Sequence, residues 1–276
     1  MVTRFLVLFC GKKEHEFPRL VRNEISIYFS HIYTSICPMP ESNEKELYYG
    51  DLQKTQILTD LFAIAYEHRD DAWKQKVIEH LAEASFRCGD PQMLTGPGGF
   101  PYFQLLLPES GQAFECYVLS HMVDDFLFER GWGVVINLKG NQPDWLLTYG
   151  EVVNYKLRKE FYTVPEVSAL PPTGVIEQDE QVLVGQPSNT LLPPQAKNAL
   201  RQYLEFHGHH GVKIALLTRM TSQGPVQQLI FNLAPDQVAD EATYQAFLQS
   251  LGWFMPQHYV FGSMDADVIK SHLEPL

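Results

Sequence analysis

Residues 162–180, YTVPEVSALPPTGVIEQDE, contain three prolines, a glycine and four acidic side chains. Proline fixes φ and removes a backbone donor, so neither a helix nor a central strand runs through such a stretch. Whatever this chain folds into must therefore be built on either side of it. The expectation is an acidic linker over 162–180, an α+β domain over 39–161 and a second over 181–276. Both flanking parts are of ordinary domain size for a chain of 276 residues.

Residues 1–38 stand apart from both. They hold no alanine, and Arg4, Lys12, Lys13, Arg19 and Arg22 outnumber Glu14, Glu16 and Glu24 in a chain whose formal net charge is −12. An export signal is the obvious reading, but the apolar run Phe5–Cys10 spans only six residues, where about 7–15 are needed. The reading adopted is an atypical extension, with Met39 as an alternative start of translation. Elsewhere no apolar run approaches the ~20 residues of a membrane-spanning helix. The acidic balance opposes binding to a phosphate backbone, and the four cysteines have no paired spacing of the zinc-ribbon or disulfide kind. With 45% hydrophobic and 20% charged residues, the composition is that of a cytoplasmic globular chain.

Apolar periodicity predicts a helical pair, or one bent helix, from Leu52 to Arg87, ended by Gly89 and Asp90-Pro91. A turn at 95–101, a strand at Tyr102–Leu107, a helix at Cys116–Arg130 capped by Gly131, and a strand at Trp132–Leu138 follow. Trp145–Thr148 begins a further strand or short helix toward Tyr155. Past the linker the order is Gln181–Gly185 strand, Gln195–Phe206 helix, Val212–Met220 and Val226–Leu233 hairpin, Asp236–Leu251 helix and His258–Phe261 strand. The fold class read from this is α+β: a helical N-terminal segment, then two α+β units, the second a β-α-β-β-α-β sheet with helices on one face.

Strong catalytic motifs are missing. No G-x-S-x-G, dinucleotide fingerprint, P-loop, HExxH or CxxC occurs. Cys116 and His121 are five apart, which on a helix points them more than 90° away from each other. Asp124 and Asp125 are adjacent and cannot share a site. The one metal-like pattern is His207, His209 and His210, three imidazoles in four residues, although a polar turn is needed there in any case. Aromatics gather at Trp132, Trp145, Tyr149 and Tyr155, and again at Trp253, Phe254, Tyr259 and Phe261. Such residues build cores, and where exposed they anchor interfaces.

Two stretches carry a family resemblance. GWGVVINLKGNQPDWLLTYGEVVNY (131–155), through Gly133, Ile136, Asn137, Pro143, Asp144, Trp145, Tyr149 and Gly150, resembles bacterial proteins of the SseB type, named for enhanced serine sensitivity. VLVGQPSNTLLPPQAKNALRQYL with VKIALLTRM (182–220) is similar to the C-terminal domain of that family. The resemblance spans about 131–264 and implies an α+β domain in a cytoplasmic bacterial protein without catalytic residues. The function expected is non-catalytic: a regulatory or adaptor role through contact with another, basic, protein, with no cofactor, nucleic acid or membrane involved. The contact is expected at Asn141, Asp144, Trp145 and Tyr149. Alternatives are an immunity or antitoxin-type protein that neutralises a basic toxin, and a metal-dependent hydrolase using His207, His209 and His210.

Overall fold

A computed structural model describes residues 6–8, 49–164, 182–221, 224–233, 241–263 and 273–276. Met39 and most of 1–38, Cys10 and Cys37, and the linker from 165 onward lie outside these residues. The class is α+β, with helices beside two mixed sheets. The first strand, β1 (Leu6–Leu8), pairs within the C-terminal sheet.

The N-terminal unit starts with α1 (Leu52–Phe62), where Asp51 accepts from the Gln53 and Lys54 amides at 2.8 and 3.1 Å. This aspartate satisfies two of the donors a helix start leaves open. Asp70 caps α2 (Asp71–Leu81) the same way, through the Trp73 amide at 2.7 Å. The helices bury Leu58, Leu61, Phe62, Val77 and Leu81.

The expected helix to Arg87 stops at Leu81, and Ser85–Thr95 is instead a strand, β2. Phe86 satisfies a helical and an alternating period equally well, so periodicity alone does not separate them. Pairing decides it: Ser85 and Phe86 lie opposite Val118 and Tyr117, and Arg87 and Cys88 opposite Leu106 and Leu105. The register shifts between Cys88 and Met93, a bulge that holds Gly89, Asp90 and Pro91, expected to end a helix, inside a strand. Next come β3 (Pro101–Leu106) and β4 (Tyr117–Val118).

The single helix expected at Cys116–Arg130 is three pieces: α3 (Leu119–Met122), a π-helical turn (Val123–Leu127) and α4 (Phe128–Arg130). Gly131 ends it at φ +69°, as the capping expectation requires. β5 (Gly133–Lys139) and β6 (Gln142–Leu147) complete a sheet of order β4-β2-β3-β5-β6, in which β3 and β5 are parallel and the other pairs antiparallel.

The division does not fall at the linker. The C-terminal unit includes Phe128–Gly131 and everything from Thr148. Thus α5 (Tyr149–Arg158), expected in the first domain, belongs to the second. It is a helix because the Glu151 carboxylate turns back to accept from the Thr148 amide at 2.5 Å and from the Thr148 hydroxyl. Beyond the linker come β7 (Val182–Gly185), α6 (Pro194–Phe206), β8 (Lys213–Thr221), β9 (Gly224–Phe231), α7 (Glu241–Leu251), β10 (Phe261–Ser263) and β11 (Glu274–Pro275). The β-α-β-β-α-β succession matches the expectation, save that 258–260 is loop and β10 starts at Phe261. The sheet order is β1-β10-β9-β8, with β7 and β11 both pairing along the far side of β8. Here β9 and β10 are parallel, and Ala215, Leu217, Ile230 and Leu273 form a buried cluster on one face.

Candidate functional site

Asp144 lies on β6 with its side chain wholly withdrawn from solvent. One carboxylate oxygen accepts from Arg69 Nη2 at 2.8 Å and the Tyr66 hydroxyl at 3.3 Å; the other accepts from Asn137 Nδ2 and Lys139 Nζ, both at 3.1 Å. Asn137, at φ +50°, uses its Oδ1 to accept from the Leu107 amide at 2.9 Å. Arg69 lies under the Tyr66 ring at 3.8 Å and the Trp73 ring at 4.8 Å, and donates to the Ile64 and Phe62 carbonyls at 3.0 Å each. Burial, and then the Asp144 charge, raise the Tyr66 pKa. Trp145 packs on Trp73 at 5.6 Å. A buried carboxylate with this many donors holds the β5–β6 hairpin to the α1–α2 connection; it is structural and has nothing left to offer a ligand.

Of the four residues expected to touch a partner, only Asn141 is exposed, at the turn between β5 and β6. Asp144 and Trp145 are buried, and Tyr149 is fully buried in the other unit. Tyr149 stacks on Phe128 at 6.4 Å and Trp253 at 6.0 Å and donates its hydroxyl to the Phe128 carbonyl at 2.8 Å. These aromatics are core residues, so the expected contact site is corrected to its exposed turn alone.

The histidine reading is corrected too. His207 forms the C-terminal cap of α6, its ring 4.4 Å from Tyr203, while His209 rests 4.3 Å from Phe247. Burial and a neighbouring imidazole hold the pKa of both below the usual histidine value. Among the described residues no group of three His, Cys, Asp or Glu side chains is placed to hold a metal ion. The thiols fare no better as nucleophiles: Cys116 donates to the Tyr49 carbonyl at 3.1 Å, Cys88 to that of Gly89 at 3.3 Å, and burial raises both pKa values.

An opening lies in the C-terminal unit, around the loop 255–260. Two devices of α5 fix this loop. A Cβ on Gly150 would stand 2.0 Å from the Met255 carbonyl oxygen, so helix and loop approach as only glycine permits. Glu151, buried and with its pKa raised by that burial, accepts from Gln257 Nε2 at 2.7 Å. The loop then turns through Tyr259 N–H to Pro256 O at 2.9 Å and joins the sheet through Leu229 N–H to Val260 O at 2.9 Å. The Tyr259 hydroxyl donates to the Leu191 carbonyl at 2.7 Å.

Between these elements lies a cavity of about 150 Å³ whose walls include Arg158, Leu191, Leu216, Leu229, His258 and Tyr259. Both ring nitrogens of His258 are buried without a hydrogen-bond partner. Desolvation, and secondarily the Arg158 charge, lower its pKa to about 4, which makes the ring neutral at pH 7. Neutral imidazole keeps one N–H donor. Among the described residues Arg158 makes no ion pair within 4.0 Å.

Compared with known proteins, the chain matches no family model, no curated protein and no solved structure. The cavity was not legible in the sequence. Its walls come from positions 158, 191, 216, 229 and 258–259, and the only local sign was a His-Tyr pair following Met255-Pro256 in a run otherwise read as strand.

Proposed function

We propose that this chain is a non-catalytic protein of the bacterial cytoplasm that acts by contacting another protein, in the regulatory or adaptor role its resemblance to the SseB type implies. The observation that carries this reading is the outer strand of the C-terminal sheet. Among the described residues β7 pairs with β8 alone, leaving its other edge with backbone donors and acceptors to offer. Leu183 on that strand is 68% exposed, and Met220 on β8 is 59% exposed. The two share a face, because Leu183 lies opposite Thr218 and strand side chains alternate. An open edge carrying exposed apolar side chains is the arrangement to which an extended segment adds as a further strand. The net charge of −12 favours a segment with basic residues beside its apolar ones. The chemistry-bearing side chains support the same reading: Asp144, Glu151 and both described cysteines are engaged in holding the fold.

The test is capture from native lysate with the intact protein, run beside Leu183→Asp and Met220→Asp. Both substitutions are at exposed positions, and circular dichroism should be unchanged. The expected result is one stoichiometric partner whose binding falls at least about tenfold in the Leu183 variant. An equal yield from all three proteins, or no partner from any, overturns the proposal.

A further inference from the structure

We infer that the cavity between α5, the β8–β9 pair and the 255–260 loop is a binding site for a small organic carboxylate with a short aliphatic body, paired to Arg158 and hydrogen-bonded by His258. The size comes first. A volume of about 150 Å³ equals roughly five waters at ~30 Å³ each, which suits a molecule of about six non-hydrogen atoms. The lining comes second. Leu191, Leu216 and Leu229 are the apolar part of the lining, while Arg158, Gln227, Gln228 and His258 are its polar part. A ligand that suits both must carry its charge at one end.

The sign of that charge follows from the cation. Arg158 is at the last residue of α5, exposed and without an ion pair among the described residues, so its guanidinium is available to a carboxylate. The groups facing His258 are Arg158 and Glu160, with Tyr259 packed edge-on against its ring at 4.7 Å. Glu160 opposes an anion, but it is exposed, and water and salt screen its charge. His258 supplies the second argument. A buried polar atom with no partner costs about 1–3 kcal/mol of lost solvation, and two such atoms lie on one ring here. Single unpartnered buried atoms occur elsewhere, as at Arg69 Nη1 and His80 Nδ1, but His258 has two, and Gln228 Nε2 in the same cavity wall is a third, so polar groups without partners gather here as they would for a ligand. A carboxylate oxygen accepts the one N–H that neutral imidazole provides.

The loop that carries His258 is braced by Gly150 and Glu151, which gives the site a rigid wall. Binding therefore needs no rearrangement of the sheet. Nothing in this arrangement calls for a covalent step, and none is proposed: the site would sense or carry the carboxylate.

The experiment titrates the full-length protein at pH 7 and constant ionic strength with sodium butanoate, with neutral butanamide and with inorganic phosphate, following the ring resonances of His258 by NMR. A His258→Gln spectrum assigns them. The expected result is a saturable shift with butanoate in about the millimolar range, in keeping with the ceiling on so few atoms. The His258 pKa should rise in the bound state, because an anion beside the ring favours the imidazolium. Arg158→Met, at an exposed helix end, should weaken butanoate about tenfold and leave the backbone amide resonances away from the cavity in place. No saturable shift, an equal response to butanamide or phosphate, or an unchanged affinity in Arg158→Met overturns the inference.

Discussion

The two units repeat one arrangement and diverge at one junction. Each runs helix, antiparallel hairpin, helical crossover, and a strand laid parallel to the second strand of the hairpin: α2-β2-β3-α3-β5 in the first, with the short β4 before α3 and with α4 belonging to the second unit, and α6-β8-β9-α7-β10 in the second. In the first, the crossover returns to the sheet at once, through Gly131 and Trp132. In the second, residues 252–260 intervene between helix and strand. The unit with the tight return buries the Asp144 charge with both carboxylate oxygens engaged. The long return opens a cavity and leaves His258 unpartnered. Single unpartnered buried atoms occur in both units, Arg69 Nη1 beside Asp144 among them, but the two that share one ring are on the longer path, in a cavity wall.

The largest effect expected of this comparison falls on the satisfied side. Asp144→Ala removes the acceptor for Arg69, whose side chain is 7% exposed, and strands a guanidinium inside the first unit. Breaking a buried pair on one side costs about 3–5 kcal/mol, and urea denaturation followed by tryptophan fluorescence should show a loss of that size, since Trp73 and Trp145 pack beside the pair. A loss below about 1 kcal/mol would mean that water reaches Asp144 and the contrast with His258 is false.

Gly150→Ala probes the other side. The added methyl meets the Met255 backbone oxygen at 2.0 Å, and a backbone carbonyl cannot swing away as a side chain does. Overpacking of this kind costs about 1–3 kcal/mol, and the loop that frames the cavity must shift. Stability should fall and the His258 resonances should move with it, while the resonances of the first unit stay where they are. Unperturbed His258 resonances would separate the loop from α5 and weaken the case for a preformed wall.

Much of the C-terminal unit is legible in its sequence. Its strands are short apolar runs bounded by turns, and α6 has Ala196, Leu200 and Leu204 at helical spacing on its buried side. Less was legible in the first unit. Phe86 and Ser85 fit a helix as well as a strand until β3 and β4 arrive to pair with them, and the π-helical turn at Val123–Leu127 has no period of its own. The expected contact site failed for a related reason. A Pro-Asp-Trp run beside a turn reads alike whether its aspartate faces water or a buried arginine, because the arginine is 75 residues away. The same distance in sequence hid the cavity.

A third expectation uses pH. His258 has a folded pKa of about 4 against about 6.5 in an unfolded chain. Between those values the unfolded state holds a proton that the native state does not, so stability falls as pH drops through that window. The contribution is intact above about pH 6.5 and lost by pH 4, and the difference between wild type and His258→Gln should trace it. The effect should be smaller than that of Gly150→Ala, because it changes one proton's affinity and displaces no backbone. A difference that stays flat from pH 7 to 4 would mean that His258 titrates as an exposed imidazole, and the cavity would lose its donor.

The smallest expected effect separates contact from consequence within a single cluster. Lys139 and Arg69 both reach Asp144, at 3.1 and 2.8 Å, and distance alone ranks them nearly equal. Their surroundings do not: the Lys139 side chain is 67% exposed, and its ammonium keeps its water whether or not the carboxylate is near. An exposed pair is worth up to about 1 kcal/mol and weakens with salt. Lys139→Ala should thus cost less than about 1 kcal/mol at low ionic strength, and less still in 0.5 M sodium chloride. Asp144 keeps Arg69, Asn137 and Tyr66 in the variant, and so no buried charge is stranded. If Lys139→Ala cost as much as Asp144→Ala, the cluster would be held by its total charge; a small, salt-sensitive cost leaves the buried Arg69–Asp144 pair as the element that the first unit depends on.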